Sequence, residues 1–459
     1  MKAEPVSPLL IRKYNQPVPR YTSYPTVPYW HDGADAEAWK ERFARQFHEE
    51  NHTHGISLYL HLPFCESLCT YCGCNKKITT NHSVEDPYMQ ALLKEWKLYR
   101  KVMQQTPVIR ELHLGGGTPT FFSPQNLKRM LTELLRGVVV HPQRQFSVEG
   151  HPNNTTPGHL KVLFDLGFRR ISYGVQDLDP EVQRVINRIQ PFENVQRATE
   201  AARKAGFTSV NFDLIYGLPL QTVAGMTETI RSVITLKPDR IAFYSYAHVP
   251  WTSRAQRLFD ESHLPSAEQK LELYRLGKEL LTEAGYEDVG MDHFALPTDE
   301  LSKARAEGRL HRNFMGYTTQ DTGLLLGLGV SSISDAGSAF AQNAKTLQDY
   351  YAHINEGKLA VVKGYFLTDE DLAFRSYILD ASCRGRVSFR PEHLPLLRLY
   401  TFPVLKQLAG DGLVDWNEAG MTITALGRHF IRNICAAFDL LKLRSEENGE
   451  AARRFSQAI

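Results

Sequence analysis

His61-Leu62-Pro63-Phe64-Cys65-Glu66-Ser67-Leu68-Cys69-Thr70-Tyr71-Cys72-Gly73-Cys74-Asn75 is the stretch that decides the fold of this chain. It directly follows Ile56-Ser57-Leu58-Tyr59-Leu60, an apolar run that predicts a β-strand. In parallel α/β folds, ligands bind beyond the carboxyl ends of the strands. We therefore expect these cysteines to lie in a ligand-binding site.

The cysteine spacing is typical of a metal site rather than of a disulfide framework, which would spread its cysteines along the chain. Cys65, Cys69 and Cys72 form a C-x3-C-x2-C run, in which three thiolates can ligate three irons of a [4Fe–4S] cluster and leave the fourth iron open. Zinc is the alternative, although structural zinc usually takes four ligands in two separated pairs. Cys74 follows Cys72 too closely to be an easy additional ligand, and its role stays open.

Outward from this loop, short apolar runs alternate with amphipathic helical stretches. Leu92, Trp96, Tyr99 and Met103 are spaced by four, three and four residues, which predicts a helix with one buried face. Further strands are predicted at 111–114, 146–149, 170–174, 210–215 and 241–244, and further helices at 194–205 and 221–236. This alternation predicts an α/β fold with a parallel sheet and right-handed crossovers. About six such units indicate a partial (β/α)6 barrel rather than a full eightfold one.

Three segments differ in character. Residues 1–40 read as an irregular N-terminal arm with scattered prolines, and residues 41–355 as the catalytic partial barrel. Residues 356–459 are predicted to form a mostly α-helical C-terminal domain. Within it, 411–415 and 421–424 suggest a β-ribbon between helices, an order similar to a winged helix. No basic recognition helix stands out, so a packing or lid role is preferred over DNA binding.

Composition excludes several classes of function. The formal net charge is +2 in 459 residues, which gives no electrostatic argument for nucleic acid or membrane partners. No apolar run approaches the roughly 20 residues that span a bilayer, and the first residues lack the apolar region of a signal peptide. The sequence therefore predicts a cytoplasmic protein, with nothing to indicate more than a monomer.

A glycine run, Gly115-Gly116-Gly117-Thr118-Pro119-Thr120, follows the second predicted strand. Glycine lets the backbone approach a ligand closely and exposes its N–H and C=O groups. An ordinary strand-to-helix turn is the alternative interpretation of such a run by itself. Its place one βα unit after the cysteine loop favours the ligand-binding interpretation.

The cysteine loop and the glycine run together resemble the radical S-adenosylmethionine (SAM) superfamily. The resemblance implies that Cys65, Cys69 and Cys72 hold the cluster and that SAM chelates the open iron. It also implies that the glycine motif contacts the methionyl part of SAM. Reductive cleavage of SAM would then yield a 5′-deoxyadenosyl radical that takes hydrogen from a substrate C–H bond.

Other motifs narrow the resemblance. Pro19-Arg20-Tyr21-Thr22-Ser23-Tyr24-Pro25-Thr26, Cys72-Gly73-Cys74-Asn75, Gly290-Met291-Asp292-His293-Phe294-Ala295 and the stretch 311–320 are similar to the oxygen-independent coproporphyrinogen III oxidase family of haem biosynthesis. The similarity covers nearly the whole chain. It implies oxidative decarboxylation of two propionates of a tetrapyrrole, coproporphyrinogen III, to vinyl groups. The product would be protoporphyrinogen IX.

The same resemblance implies contacts with two SAM molecules in adjacent sites. The residues carried over are Tyr59, Tyr71, Gly116, Gly117, Thr118, Glu149, Gln176, Arg188, Asp213, Ala247 and Ile333. Of these, Tyr59, Gly116, Glu149 and Ile333 are expected to contact the cluster-bound SAM, and the others the second SAM. Without the resemblance, the alternative interpretation of Glu149 and Asp213 is that they cap helices, and that of Arg188 is a solvated helix charge.

The arm offers candidates for substrate contact. Arg20 can bind a carboxylate through two hydrogen bonds, and Tyr21 and Tyr24 add flat apolar surface. Two departures from the family pattern weaken the predictions for the second SAM: Gly150-His151-Pro152-Asn153 lacks a charged pair, and Met315 replaces a glutamine. His293 and His311 are expected to be hydrogen-bonded or substrate-facing rather than metal ligands.

Two alternatives stay open at this point. A haem-binding, chaperone-like paralogue of the same superfamily would bind a tetrapyrrole without decarboxylating it; Cys74 and the arm motif favour the enzyme. A zinc-binding regulatory protein with a winged-helix tail is the second. The physiological electron donor and electron acceptor cannot be identified from the sequence.

Overall fold

The computed structural model describes residues 6–449 and 455–458. The strands are β1 (His31–Asp32), β2 (Ile56–Leu62), β3 (Phe64–Cys65), β4 (Lys77–Ile78), β5 (Val108–Gly116), β6 (Val139–Gly150), β7 (Arg170–Gln176), β8 (Ser209–Tyr216), β9 (Arg240–Ser245), β10 (Glu287–Gly290), β11 (His293–Ala295), β12 (His311–Asn313), β13 (Gly316–Thr318), β14 (Leu325–Leu328), β15 (Ile333–Asp335), β16 (Ala339–Asn343), β17 (Val361–Phe366), β18 (Arg386–Ser388), β19 (Val414–Asn417) and β20 (Gly420–Ile423). The α-helices are α1 (Pro8–Tyr14), α2 (Ala36–Glu50), α3 (Glu85–Met103), α4 (Pro124–Leu134), α5 (Pro157–Asp165), α6 (Pro180–Val185), α7 (Phe192–Ala205), α8 (Val223–Thr235), α9 (Ala267–Glu283), α10 (Glu300–Ala306), α11 (Leu347–Asn355), α12 (Asp369–Leu379), α13 (Leu394–Leu396), α14 (Phe402–Gly410), α15 (Ile431–Ala436) and α16 (Leu440–Glu447).

Six parallel strands form the predicted partial barrel. They follow one another in the order β2-β5-β6-β7-β8-β9, and each is hydrogen-bonded in parallel to the next. Each of the five connections between them contains at least one helix, as expected for βα crossovers. The prediction of a partial (β/α)6 barrel is confirmed.

The barrel sheet continues beyond these six strands at both edges. On one side, β14 pairs in parallel with β2 and leads into antiparallel β15, β16, β17 and β1. On the other, β11 and β10 add antiparallel strands to β9. The large sheet therefore ends at Phe366, past the predicted boundary at residue 355. The domain boundaries themselves stay predictions.

The predicted helix with one buried face is α3. Leu92, Trp96, Tyr99 and Met103 are all buried against the sheet, as their spacing requires. The indole N–H of Trp96 donates to the carbonyl of Leu134, so the only polar atom of that ring is satisfied. This face anchors the barrel wall next to the cysteine loop.

The arm is more regular than predicted. Ser7 caps α1 and Pro8 opens it, while Ile11 and Tyr14 are buried. These side chains belong to a second hydrophobic core shared with the C-terminal helices. The sequence pattern missed this helix because it spans only seven residues and its stabilising partners lie about 400 residues away.

The C-terminal region contains the predicted β-ribbon. β19 and β20 pair antiparallel, and β18 adds a third strand between α12 and α14. Most of the remaining structure there is helical, as predicted. Within the described residues, no helix combines the length and the apolar character that crossing a bilayer requires.

Candidate active site

One cavity of about 830 Å³ lies at the carboxyl ends of the barrel strands. It brings together eleven of the residues predicted from the sequence: Cys65, Cys69, Cys72, Tyr71, Gly116, Gly117, Thr118, Glu149, Gln176, Arg188 and Asp213. These residues lie on six separate strands or loops of the barrel. They come together because of the barrel fold and not because of any single sequence motif. The volume is typical of a pocket for a large ligand.

The cysteine loop has little regular structure and is held by its neighbours. Phe64 and Cys65 pair with Lys77 and Ile78 in the short parallel pair β3 and β4. Further along, the amide of Thr70 donates to the carbonyl of Ile186 at 3.0 Å. The loop is thus fixed at both ends before any metal is bound.

The thiols of the loop face donors rather than carboxylates. Thr118 Oγ1 donates to Cys65 Sγ at 3.4 Å, and Arg188 Nη1 donates to Cys69 Sγ at 3.6 Å. Burial raises the pKa of Cys65 to about 11, whereas the hydrogen bond with Cys74 lowers the pKa of Cys72. Hydrogen-bond donors beside sulfur stabilise the negative charge that a ligated thiolate cluster carries. The donor set therefore fits an iron–sulfur cluster.

Zinc finds less support in this geometry. No three His, Cys, Asp or Glu side chains among the described residues converge closely enough to hold a single metal ion. A mononuclear zinc site needs four ligand atoms at about 2.0–2.3 Å from one centre. Three cysteines that each bind a different iron need no such common centre.

The glycine motif lies directly against the cysteine loop. A Cβ on Gly117 would stand 2.6 Å from the backbone of Pro63, and one on Gly116 would stand 2.7 Å from the ring of His61. Gly116 also has φ +111°, a conformation that favours glycine. Only glycine permits this close approach, which places the backbone of the motif at the cavity wall.

Glu149, at the end of β6, is held as a carboxylate. It accepts hydrogen bonds from His113 Nε2 at 3.2 Å and from the amide of Gly116 at 3.2 Å. Burial alone would raise the pKa of Glu149, but these donors keep it below its usual value. Tyr59 stacks on His113 at 5.9 Å between ring centroids. Tyr59 therefore supports this wall from behind and does not line the cavity.

The opposite wall carries polar atoms without protein partners. Arg188 donates to the carbonyl of Gly174 at 2.6 Å, but its Nε is buried without a partner among the described residues. The Oε1 atom of Gln176 is likewise buried and unpartnered, and its backbone has φ +67°. Burial, and then the nearby Glu149, raise the pKa of Asp213 to about 7. Unsatisfied groups of this kind are expected where a polar ligand binds.

Besides Tyr59, two predicted cofactor contacts lie outside the cavity. Ala247 is tied to the cysteine loop indirectly, since Gln256 Nε2 donates to the carbonyls of both Ala247 and Tyr71. Ile333, the first residue of β15, packs in a small hydrophobic cluster with Trp30. Contact of these residues with SAM stays a prediction.

The predicted substrate residues separate into two groups. Arg20 donates to the carbonyl of Ser245 at 2.8 Å and lies over the ring of Tyr244, which lines the cavity. Tyr21 and Tyr24 are instead 3% and 2% exposed in the core shared with the C-terminal helices. Tyr21 donates to Asp439 at 3.0 Å. The structure does not bring these two rings to the cavity, so it does not support their direct contact with substrate.

Sequence reasoning missed several cavity residues. Tyr244 and Ser172 line both the main cavity and a smaller one of about 140 Å³ deeper in the barrel, where His293 and Met315 also lie. Ser172 and Tyr244 each occupy a strand position, on β7 and β9, and alternation along the strand was the available signal. His311 lies outside both cavities, 3.7 Å from Asp321.

His151 also faces the main cavity. Burial, and then Arg188, lower the pKa of His151 to about 3, so the ring is neutral. Its Nδ1 accepts the amide of Asn153 at 3.1 Å, which places its proton on Nε2. The sequence of residues 150–153 lacks a charged pair. In the structure, this stretch instead contributes the neutral ring of His151 to the cavity as a hydrogen-bond donor.

Comparisons with known proteins identify the family of this chain. The model of the radical SAM superfamily matches residues 59–233. The oxygen-independent coproporphyrinogen III oxidases of Pseudomonas aeruginosa and Escherichia coli are 39% and 41% identical to this chain. Each alignment covers 94% of this chain, and 95% and 94% of the relative, respectively.

A solved structure extends the similarity to the fold. Coproporphyrinogen III oxidase from Escherichia coli, described as a radical SAM enzyme, superposes with a TM-score of 0.88 at 39% identity. The match covers 95% of this chain and 99% of that chain. The chain therefore belongs to the oxygen-independent coproporphyrinogen III oxidase family of radical SAM enzymes.

Proposed function

We propose that this chain converts coproporphyrinogen III to protoporphyrinogen IX without oxygen. The observation that carries the proposal is the single cavity in which three cysteine thiols meet the glycine motif and the wall of Arg188, Gln176 and Asp213. Each of two propionates would lose one hydrogen atom, one electron and carbon dioxide, and become a vinyl group. That balance requires an outside acceptor for the final electron.

SAM bound at the cluster would supply the 5′-deoxyadenosyl radical that takes the hydrogen atom. Cys65, Cys69 and Cys72 are the residues that would hold the cluster. The carboxylate of Glu149, which accepts the amide of Gly116, would accept hydrogen bonds from the cluster-bound SAM. The glycine at position 116 would let the backbone approach SAM closely. A second SAM molecule, as the sequence resemblance implies, remains part of the proposal.

Arg188 and Gln176 are suited to hold polar groups of the ligand in place. Arg188 is already anchored on the carbonyl of Gly174, and its buried Nε has no partner among the described residues, so holding a ligand would cost little side-chain entropy. Arg20 is the remaining candidate for a substrate carboxylate, because it reaches the end of β9 beside Tyr244. Its ion pair with Asp292, at 3.6 Å, would have to be shared or exchanged with the substrate.

The test is an anaerobic assay of the reconstituted enzyme with coproporphyrinogen III, SAM and a reductant, with protoporphyrinogen IX measured as product. Cys69→Ser should lose iron, sulfide and turnover. Cys74→Ser should retain iron, because Cys74 is not predicted to be a ligand. Tight haem binding without product would identify the chaperone-like alternative instead.

Three further properties belong to the proposal. We infer that the enzyme acts as a monomer in the cytoplasm, without nucleic acid or membrane partners. Sedimentation of the purified chain with and without substrate tests the first of these. An electron donor and an electron acceptor from outside the chain complete the reaction.

A further inference from the structure

Four cationic side chains lie around the point where the arm passes the end of β9. We call them the cationic cluster: Arg20, Lys270, Arg312 and Arg432. They come from four separate segments, which are the arm, α9, β12 and α15. The cluster is therefore a product of the tertiary fold, and no single stretch of sequence contains it.

Two of the cations are attached to neighbouring carbonyls at the end of β9. Arg20 Nη2 donates to the carbonyl of Ser245, the last residue of the strand, at 2.8 Å. Lys270 Nζ donates to the next carbonyl, that of Tyr246, at 3.0 Å. These two contacts place both positive charges at the carboxyl end of the last parallel strand of the barrel.

The other two cations are attached to the arm beside Arg20. Arg432 donates to the carbonyls of Val18 and Pro19. Arg312 Nη2 lies 3.5 Å from the carbonyl oxygen of Arg20. Since these three carbonyls are consecutive in the chain, both guanidinium groups are close neighbours of Arg20.

Carboxylates do not match this positive charge. Asp292 lies 3.6 Å from Arg20 Nη1, and none of the other three cations of the cluster forms an ion pair within the described residues. Asp439 also lies near the arm, where it accepts the hydroxyl of Tyr21 at 3.0 Å. Two carboxylates therefore accompany four cations. A buried charge without a counter-charge is costly, so the arrangement favours an anionic ligand.

The like charges of the cluster act on one another. Burial, and then Arg20 and Arg432, lower the pKa of Lys270 to about 8. Burial, and then Arg20, lower the pKa of Arg432 to about 10. Both directions agree with the count of charges, because a matched set of counter-charges would raise these pKa values.

Arg312 has donors available for such a ligand. It is 7% exposed, and its guanidinium lies 4.7 Å from the centroid of the Tyr317 ring. Its Nε and Nη1 are buried without a partner among the described residues. His293 packs edge-on to Tyr317 at 5.3 Å between centroids, and its Nδ1 also lacks a partner there. Buried polar atoms without partners are expected where a polar ligand binds.

Tyr244 lies between the cationic cluster and the cysteine thiols. The guanidinium of Arg20 lies 5.7 Å from the centroid of the Tyr244 ring, and that ring lines the main cavity together with the three cysteines. None of the four cations lines that cavity. The side chain of Arg20 is 30% exposed, so the cluster is open to solvent at this residue. A carboxylate held by the cluster would lie outside the cavity that holds the thiols.

We propose that Arg20, Lys270 and Arg312 bind the two propionates of the tetrapyrrole that are not decarboxylated. This inference rests on the proposed function, in which two of the four propionates react and two survive. Arg312 would donate its unpartnered N–H groups, and Arg20 would exchange Asp292 for a ligand carboxylate. Arg432 adds positive charge, while its own donors hold the arm in place.

The experiment measures porphyrin fluorescence on the anaerobically reconstituted enzyme. The probes are coproporphyrin III, which has four propionates, and mesoporphyrin IX, which has ethyl groups in place of the two that react and keeps the two that survive. Arg312→Met and Lys270→Met should each weaken the binding of both porphyrins by roughly tenfold or more, because a hydrogen bond to a charged group is lost. The affinity for SAM should stay unchanged.

Unfolding of the porphyrin-free enzyme separates ligand binding from a structural role. Because Arg312 is buried without a counter-charge, Arg312→Met should not lower the urea midpoint. The matched control is Arg203→Met. Arg203 also donates to backbone carbonyls, those of Leu236 and Lys237, but these precede β9 at its opposite end. Its loss should leave the affinity for both porphyrins unchanged.

The outcomes separate the two proposals. If the variants bind coproporphyrin III weakly but mesoporphyrin IX normally, the cluster holds the propionates that react, and the inference is overturned. Normal binding of both porphyrins, a loss of SAM affinity instead, or a lower urea midpoint in Arg312→Met would overturn it as well. A parent enzyme that binds both porphyrins through these residues but forms no protoporphyrinogen IX would overturn the proposed function and leave the carboxylate site standing.

Discussion

Gly117→Ala is expected to pull the glycine motif away from the cysteine loop. A Cβ at this position would stand 2.6 Å from both the carbonyl carbon and the oxygen of Pro63, and 2.9 Å from the oxygen of Phe64. All three are backbone atoms, so no side-chain rotation relieves the contact. Ordinary contact begins at 3.4 Å, and the two segments must therefore separate by about 0.8 Å.

That separation has a cost that follows from the flanking hydrogen bonds. The amide of Gly117 donates to Leu62 at 2.9 Å, and the amide of Thr118 donates to Phe64 at 3.0 Å. Lengthening each by about 0.8 Å takes both beyond hydrogen-bond distance. At roughly 0.5–1.5 kcal/mol for each bond, the free energy of unfolding should fall by about 1–3 kcal/mol.

Urea unfolding of the metal-free protein, followed by circular dichroism, measures this change. Iron and sulfide content after reconstitution is the second readout, and it should fall because Cys65 and Thr118 no longer face each other. Gly73→Ala is the matched control: it lies in the same loop, and no atom comes within 4 Å of its added Cβ. Equal urea midpoints and equal iron content for the two variants would refute the reasoning.

Three further predictions follow from buried groups. Burial raises the pKa of Glu95 to about 7, so the folded chain holds a proton that the unfolded chain releases above about pH 4.5. Glu95 should therefore lower the free energy of unfolding by about 3 kcal/mol as the pH rises from 4.5 to 7. The free energy of unfolding, measured in urea at several pH values, should fall less steeply with pH in Glu95→Gln than in the parent. With its pKa raised to about 7, Asp213 should release a proton when the SAM cation binds at neutral pH; calorimetry in two buffers should detect this release and find none in Asp213→Asn. Tyr21→Phe removes a buried hydrogen bond to Asp439 and should cost about 1–3 kcal/mol while leaving the substrate KM unchanged; a raised KM at unchanged stability would instead restore its predicted role in substrate contact.

The barrel was predictable because its signals are local. Each strand appears as a short apolar run, and α3 shows its buried face in four residues spaced by three or four. The cysteine loop and the glycine motif follow adjacent barrel strands. Because the carboxyl ends of parallel strands lie at the same edge of the sheet, the sequence alone predicts that the two motifs meet. Glu149 and Gln176 were placed by the same rule, since each lies at or near the end of its strand.

The arm was not predictable in the same way because its stability depends on distant partners. Tyr21 and Asp439 are separated by 418 residues, and Tyr24 accepts the amide of Leu440 across a similar distance. The same aromatic residues that suggested a flat substrate contact serve here as core. An apolar ring by itself does not distinguish the two roles, and only the tertiary contact decides between them.

The cysteine motif also depends on residues that its pattern does not contain. The loop has almost no backbone ladder of its own, so its carbonyls need side-chain donors from elsewhere. The side chain of Asn187 donates to the carbonyl of Leu68, and that of Gln256 donates to the carbonyl of Tyr71. Ser253 and Lys76 both donate to the carbonyl of Cys72. His61 Nε2 donates to the carbonyl of Asn75. Four of these five donors come from outside the C-x3-C-x2-C run and the residues just after it.

These donors set the spacing of the three thiols before a cluster arrives. Removing one donor leaves a carbonyl unsatisfied and frees the loop to shift, even though every cysteine is still present. In a chain with the same cysteine spacing but without Gln256 or Asn187, the loop would become ordered only when the cluster binds. The free energy of ordering the loop would then weaken cluster binding. The spacing alone identifies the kind of metal site, while the surrounding donors determine how rigidly its ligands are held.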